Sequence, residues 1–202
     1  ISELAKLATL IDESREARVV GIVGAPGSGK STIASALSSS LNRENMVIPM
    51  DGFHYSQSKL RELGRRDRMG APDTFDATEL TQKLMAVTTR EADVAFPDFD
   101  RTIEERIVPD SIVVPKSIEL ILLEGNYLLL QEDGWQDLAS LLDLSIYIET
   151  PEEIRLQRLL DRHVKFGKTP EFAQEWMEKV DKPNAEKILS SKHLADVIFS
   201  YN

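Results

Sequence analysis

The chain predicts a three-layer α/β/α fold around a mainly parallel five-stranded sheet, on three observations. Short apolar, β-branched runs recur five times, helical patterns separate most of them, and a glycine-rich turn joins the first run to the helix after it. Alternating strands and helices are most simply arranged as a parallel sheet covered on both faces.

The elements follow in order. Residues 1–15 place Leu4, Leu7, Ala8 and Ile11 at helical spacing, which reads as an amphipathic lead-in helix. Residues 18–24 are nearly all apolar, as a strand buried on both faces should be. From Lys30 to Leu41 the period becomes helical, with Ile33, Ala34, Leu37 and Leu41 on one face. Further strands are expected at 46–50, 118–123, 144–148 and 195–199. A helix over 151–163 has Thr150 as its expected cap, Pro151 at its first position and Glu153 to complete a capping box. Between Gly52 and Pro115 the pattern is interrupted by Pro72, Pro97, Pro109 and Pro115, and only 78–88 reads as a helix. This region, about 52–116, is read as a substrate-facing insertion in a single domain over 1–202, with a lid at about 155–180.

Composition narrows the chemistry. With 42% hydrophobic residues in 202, the chain is long enough for one sizeable core. It has no cysteine, which excludes disulfides, thiolate nucleophiles and cysteine-zinc sites and suits a cytoplasmic setting. A net charge of -10 opposes a nucleic-acid partner, although backbone N–H groups can still hold a small anion at short range. No apolar run is long enough for membrane insertion. The expected partner is a small molecule carrying a hydroxyl, with a homodimer left open.

The strongest motif is Gly24, Ala25, Pro26, Gly27, Ser28, Gly29, Lys30 and Ser31, followed by Thr32. It satisfies G-x-x-x-x-G-K-[ST] between a strand and a helix, the context in which that string forms a P-loop. Its glycines let the backbone curl so that N–H groups face phosphate oxygens, and the helix dipole favours negative charge there. ATP and Mg²⁺ are the implied cofactors: Lys30 would neutralise the β- and γ-phosphates and Ser31 would ligate the ion.

Two acids end apolar strands. Asp51, in Met50-Asp-Gly-Phe-His54, stands where a carboxylate could take the proton of an attacking hydroxyl or help to hold Mg²⁺, the alternative being a strand-end turn. Glu124 ends a second strand and is placed to join the magnesium shell, unless it is a solvated terminal charge. His54 is open between substrate contact and a half-buried structural role. Arg155, Arg158 and Arg162 share a helix face before the loop 165–168, a closing lid from which Arg158 and Arg162 would stabilise the transferring phosphoryl group. The basic run Lys59, Arg61, Arg65, Arg66 and Arg68 reads as a solvated face.

Together, GAPGSGKST at 24–32, MDGFHYS at 50–56, RMGAPDTFD at 68–76, PDFDR at 97–101, LEGNYLLL at 123–130 and DKPNAEKI at 181–188 resemble the uridine kinase and pantothenate kinase group of P-loop kinases. The likeness is greatest to bacterial nucleoside-kinase-like or fructose transport system kinases. The resemblance implies Asp51 as catalytic base, Asp76 and Arg101 at the acceptor pocket, and a lid arginine at Arg158 or Arg162. Asn126 in the LEGNYLLL segment is expected to contact substrate. The final segment departs from the group at Val180, where asparagine is expected, so no role carries over to Asp181 or Asn184. The resulting expectation is transfer of the γ-phosphoryl of Mg-ATP to a hydroxyl of a nucleoside, pantothenate, sugar or similar metabolite. The alternative is a regulatory or transport-associated ATPase with water as its only acceptor.

Overall fold

The structure, a computed structural model, describes residues 2–200. The chain begins with α1 (Glu3–Glu13), β1 (Val19–Val23), α2 (Lys30–Ser40) and β2 (Asn45–Pro49). Next come α3 (Gln57–Glu62), α4 (Ala77–Thr89), β3 (Val94–Asp100), β4 (Glu105–Val114) and β5 (Leu120–Gly125). It closes with α5 (Trp135–Ala139), β6 (Leu144–Glu149), α6 (Glu152–Lys165), α7 (Pro170–Trp176), α8 (Lys182–Ser190) and β7 (Val197–Ser200).

The five expected strands form one parallel sheet in the order β2-β5-β1-β6-β7. Its residues alternate between two buried faces. Val20, Ile22, Leu120, Leu122, Ile146 and Ile148 pack with Leu7, Ala8 and Ile11 of α1 and Ile33, Ala34 and Leu37 of α2. Val19, Val23, Ile121 and Leu123 point the other way, into a cluster with Leu80 and Leu84 of α4, Leu138 of α5 and Ile188 of α8. Burial on both faces is why these strands read as continuous apolar runs. No described helix is long and apolar enough to cross a membrane.

The region 52–116 holds more regular structure than its prolines suggest. Besides α4 it contains α3 and an antiparallel hairpin, β3 with β4, outside the main sheet. A proline lacks an N–H but is tolerated at a bulge or on an open edge. The hairpin register shifts between Phe96 and Asp98, so Pro97 sits at that irregularity. The start of α6 also differs from expectation. Pro151 is the cap residue, with no side-chain cap bond, and Thr150 Oγ1 instead donates to the Ser28 carbonyl at 2.9 Å. The hydroxyl that would cap the helix is used to hold the P-loop.

The hairpin crosses directly over the turn that follows β2. A Cβ added at Gly52 would overlap the Pro97 carbonyl, a backbone atom that no rotamer change can move. Gly52→Ala should therefore push the hairpin off this turn and destabilise the protein by about 1–3 kcal/mol, the usual range for overpacking. Thermal unfolding beside the parent chain checks this. An unchanged midpoint would mean that the hairpin is not seated on Gly52.

Candidate active site

The P-loop leaves β1 and enters α2 through backbone that glycine adopts most easily: Gly27 has φ 84° and Gly29, the residue capping α2, has φ 87°. Two contacts hold the loop from outside. Thr150 reaches the Ser28 carbonyl, and the buried Arg155 donates from Nη1 to the Pro26 carbonyl at 3.0 Å while Glu152 holds its other edge.

The loop has the polar imbalance expected of an anion site. Ser28 Oγ is buried with no hydrogen-bond partner in the protein. Lys30 is buried, its Nζ turned onto the Ala25 carbonyl at 3.2 Å. Burial pushes its pKa down to about 8, with Glu124 opposing the shift. A buried ammonium beside the open N–H groups at the start of α2 fits a phosphate chain.

Ser31 Oγ donates to Glu124 Oε1 at 2.8 Å. Glu124, at the end of β5, is 9% exposed, and burial raises its pKa against the pull of Lys30. A hydroxyl and a carboxylate side by side, with Asp51 close enough to act on Glu124, form an all-oxygen donor set. Such a set suits a hard divalent ion that completes its shell with phosphate oxygens and water.

Asp51 lies in a single 3₁₀ turn, Met50–Phe53, that continues β2. Its carboxylate is paired with Arg101, which the β3–β4 turn brings across from the insertion. Burial alone would raise the Asp51 pKa, but Arg101, His54, Arg162 and Lys30 together hold it below the ordinary value. His54, 7% exposed, lies between Phe75 and Phe99, with ring centroids at 3.9 and 4.6 Å, and its Nδ1 faces the Asp51 carbonyl at 2.8 Å.

One pocket joins these groups. Lys30, Ser31, Asp51, His54, Arg101, Glu124, Asn126 and Arg162 all line it, so most of the residues singled out in the sequence meet here. Among those expected on its acceptor and lid sides, Asp76 and Arg158 do not reach it. Asp76 caps α4 by accepting from the Glu79 N–H at 2.8 Å, with its own N–H bound to the Phe53 carbonyl. Arg158 is absent from the pocket wall. Arg155 and Arg162, seven residues and hence about two turns apart, share a face of α6 that runs from the P-loop to the pocket.

The end of α6 and the turns after it add groups that the sequence did not assign. His163 Nε2 lies 2.7 Å from Asp181 Oδ2, and both residues line the pocket. Asp181 ends a π-helical turn, Met177–Asp181, whose irregular spacing hides its direction from a helical-period reading. Lys168, in the noted 165–168 loop, bridges to Glu104 at 2.8 Å, and Glu104 is also held by Arg66. Glu104 lies in the turn of a hairpin that was not anticipated. Three more basic residues of 59–68 also find acids: Lys59 meets Glu62, and Arg65 and Arg68 meet Asp73.

The buried lysine leads to a pH prediction. Well above pH 8 the ligand-free protein has a neutral Lys30, and a bound phosphate chain would restore its charge. ATP binding should therefore take up close to one proton per nucleotide at alkaline pH and almost none well below 8. Calorimetric titration in buffers of differing ionisation enthalpy measures this directly. Equal uptake at both ends would remove Lys30 as the coupled group.

Known proteins resemble the whole chain. A model of the phosphoribulokinase/uridine kinase family matches residues 19–201. The uncharacterised protein YggC of Escherichia coli (strain K12) is 35% identical over 200 residues, covering 96% of this chain and 81% of YggC. A uridine kinase of Halalkalibacterium halodurans is 31% identical over 184 residues, covering 89% of this chain and 84% of that enzyme. Among solved structures, a candidate fructose transport system kinase of Silicibacter sp. TM1040 superposes with a TM-score of 0.88 at 33% identity, covering 98% of this chain and 100% of that one.

Proposed function

The chain belongs to the phosphoribulokinase/uridine kinase family, and from that premise we propose that it is an ATP-dependent kinase of a small molecule, with a hydroxyl as acceptor. The observation that carries this reading is the single pocket in which the P-loop residues Lys30 and Ser31 face Asp51 and Arg101 of the acceptor side. An ATPase with water as its only acceptor needs no such second wall.

Bound Mg-ATP would supply the phosphoryl group, with Ser31 and Glu124 as the ion's protein-side oxygens. Asp51 takes the proton of the acceptor hydroxyl as its oxygen forms the bond to the γ-phosphorus. The bond from that phosphorus to the bridging β–γ oxygen breaks, and ADP leaves with the electron pair. Lys30 and Arg162 face the charge that spreads over the transferring group. For Arg162, burial and the nearby Arg101 both disfavour its positive charge, a cost that a bound anion would offset. Asn126 and His54 line the acceptor side. We read 1–202 as one kinase domain, with 52–116 as its acceptor-facing insertion and about 155–180 as a lid. The Lys168–Glu104 bridge would then tie the lid to the insertion and keep water from the phosphoryl group.

The test is ADP release from Mg-ATP with a panel of nucleosides, pantothenate, sugars and other small alcohols, with mass spectrometry of each acceptor. One acceptor is expected to stimulate turnover and gain a phosphate. Equal ADP release with every acceptor, and no gain in mass for any, would favour the ATPase reading.

A further inference from the structure

On a chain whose net charge is -10, one cleft away from the active site gathers positive charge. It encloses about 500 Å³ and shares no residue with the pocket of Lys30 and Asp51. Its four arginines arrive from separate segments. Arg15 follows α1, Arg18 immediately precedes β1, Arg43 lies between α2 and β2, and Arg90 caps the end of α4. Glu119, which immediately precedes β5, lines the same cleft. The cleft therefore lies at the amino ends of the strands whose carboxyl ends carry the P-loop and Glu124.

Elsewhere the arginines meet acids, as Arg65, Arg66, Arg68 and Arg106 do. Among the described residues, none of these four forms an ion pair with a carboxylate. Arg43 donates from Nη1 to the Ser14 carbonyl at 3.2 Å, and from Nη2 to the Ala17 and Glu119 carbonyls at 2.7 and 3.2 Å. Arg18 Nη2 reaches the Ile118 carbonyl at 3.4 Å, and its Nε is buried with no partner among the described residues. A carbonyl satisfies an N–H but carries no net charge, so both guanidinium groups are fixed in place with their charge uncancelled. The side chains of Arg15 and Arg90 are exposed and make no hydrogen bond among the described residues.

Two acids line the cleft, and they do not balance it. Asp12 is engaged by Asn42, accepting from its backbone N–H at 3.2 Å and its Nδ2 at 2.8 Å. Glu119 is the second. Four guanidinium groups against two carboxylates leave a formal charge of +2. Glu16, Glu44 and Glu91 stand near these arginines in the chain but are exposed and do not line the cleft. Helix dipoles at the ends of α1 and α4 supply about half a negative charge each, too little to offset the excess.

We propose that this cleft is a second ligand site, remote from the P-loop, for a phosphate monoester of a small metabolite. A phosphate monoester carries close to two negative charges at pH 7, which matches the excess in the cleft. Its tetrahedral oxygens accept from guanidinium groups arriving from several sides, whereas a carboxylate fills one planar fork. Arg15 and Arg90 supply the free N–H groups, while Arg18 and Arg43, held on carbonyls, supply the fixed field. The volume leaves room for the organic part of the ester. The site is independent of the kinase reading, because no side chain is common to both.

The probe is glycerol phosphate, titrated calorimetrically into the full chain, with glycerol as its uncharged counterpart and acetate as a carboxylate. Glycerol phosphate is expected to bind, acetate more weakly and glycerol not at all. The double variant Arg15→Ser/Arg90→Ser should weaken glycerol phosphate binding about tenfold or more, as loss of charge-assisted hydrogen bonds predicts. Both residues are exposed and outside the catalytic pocket, so melting temperature and ATP affinity should match the parent chain. Lys30→Ala, which alters only the P-loop, should keep the binding. Glycerol phosphate affinity unchanged in the arginine variant, or lost altogether in Lys30→Ala, overturns the cleft site. Equal affinity for acetate overturns the assignment to phosphate. If the double variant melts early, Arg15→Gln and Arg90→Gln are read singly, and unchanged affinity in both overturns the site.

Discussion

An Asp51→Asn variant is expected to bind ATP nearly as the parent does and to transfer phosphate about a hundred- to ten-thousand-fold more slowly, the usual span for loss of a general base. The amide is nearly isosteric, so the turn Met50–Phe53 and the seating of Gly52 under the hairpin persist. Two things change. The side chain can no longer take a proton, and Arg101 loses the charge that holds it. The amide keeps the shape of the carboxylate and an accepting oxygen, so the variant should still bind acceptor while turning it over slowly. This split of KM against kcat separates loss of the base from loss of structure. Full turnover by Asp51→Asn would end the assignment of the base, and loss of ATP binding would show that Asp51 acts instead through the nucleotide site.

The second large effect is expected at Gly27→Ala. Gly27 has φ 84°, where an alanine costs about 1–2 kcal/mol. Its added methyl would also overlap the Arg155 carbonyl on α6. Arg155 donates to Pro26, so the helix and the loop hold each other and neither can withdraw freely. Relief of the overlap has to open the P-loop, and ATP affinity should fall by about tenfold or more, since each 1.4 kcal/mol is a factor of ten. Gly64→Ala is the control. Gly64 has φ 64° with nothing within 4 Å of an added Cβ, so it meets the backbone strain without the clash. Gly64→Ala should lower the melting temperature modestly and leave ATP affinity unchanged. If both variants bind ATP normally, the clasp by Arg155 has no part in shaping the loop.

The difference between what was legible and what was not follows the range of the forces involved. The P-loop string, the apolar strand before it and the helix after it are local, and backbone sterics, periodicity and the dipole act within a few residues. Asp51 and Glu124 were readable for the same reason, because each ends an apolar strand. The resemblance adds Arg101, whose partner lies fifty positions away in the chain. Asp76 shows the limit of such transfer. It belongs to the matching segment, yet its carboxylate is drawn to the open N–H at the start of α4, an interaction that local capping chemistry predicts as readily.

The amino-acid sequence by itself determined the parallel sheet, its five strands, the glycine-rich loop between β1 and α2 and the acids that end β5 and follow β2, since each is written in contiguous residues. Only the tertiary structure decided which arginine of α6 holds the P-loop and which faces the pocket. Nor could sequence alone show that His54 packs against Phe75 and Phe99, that Lys168 pairs with Glu104, or that Arg101 pairs with Asp51. Most of these contacts join residues far apart along the chain, and their geometry is set by how the hairpin and the helices from α6 onward pack against the sheet.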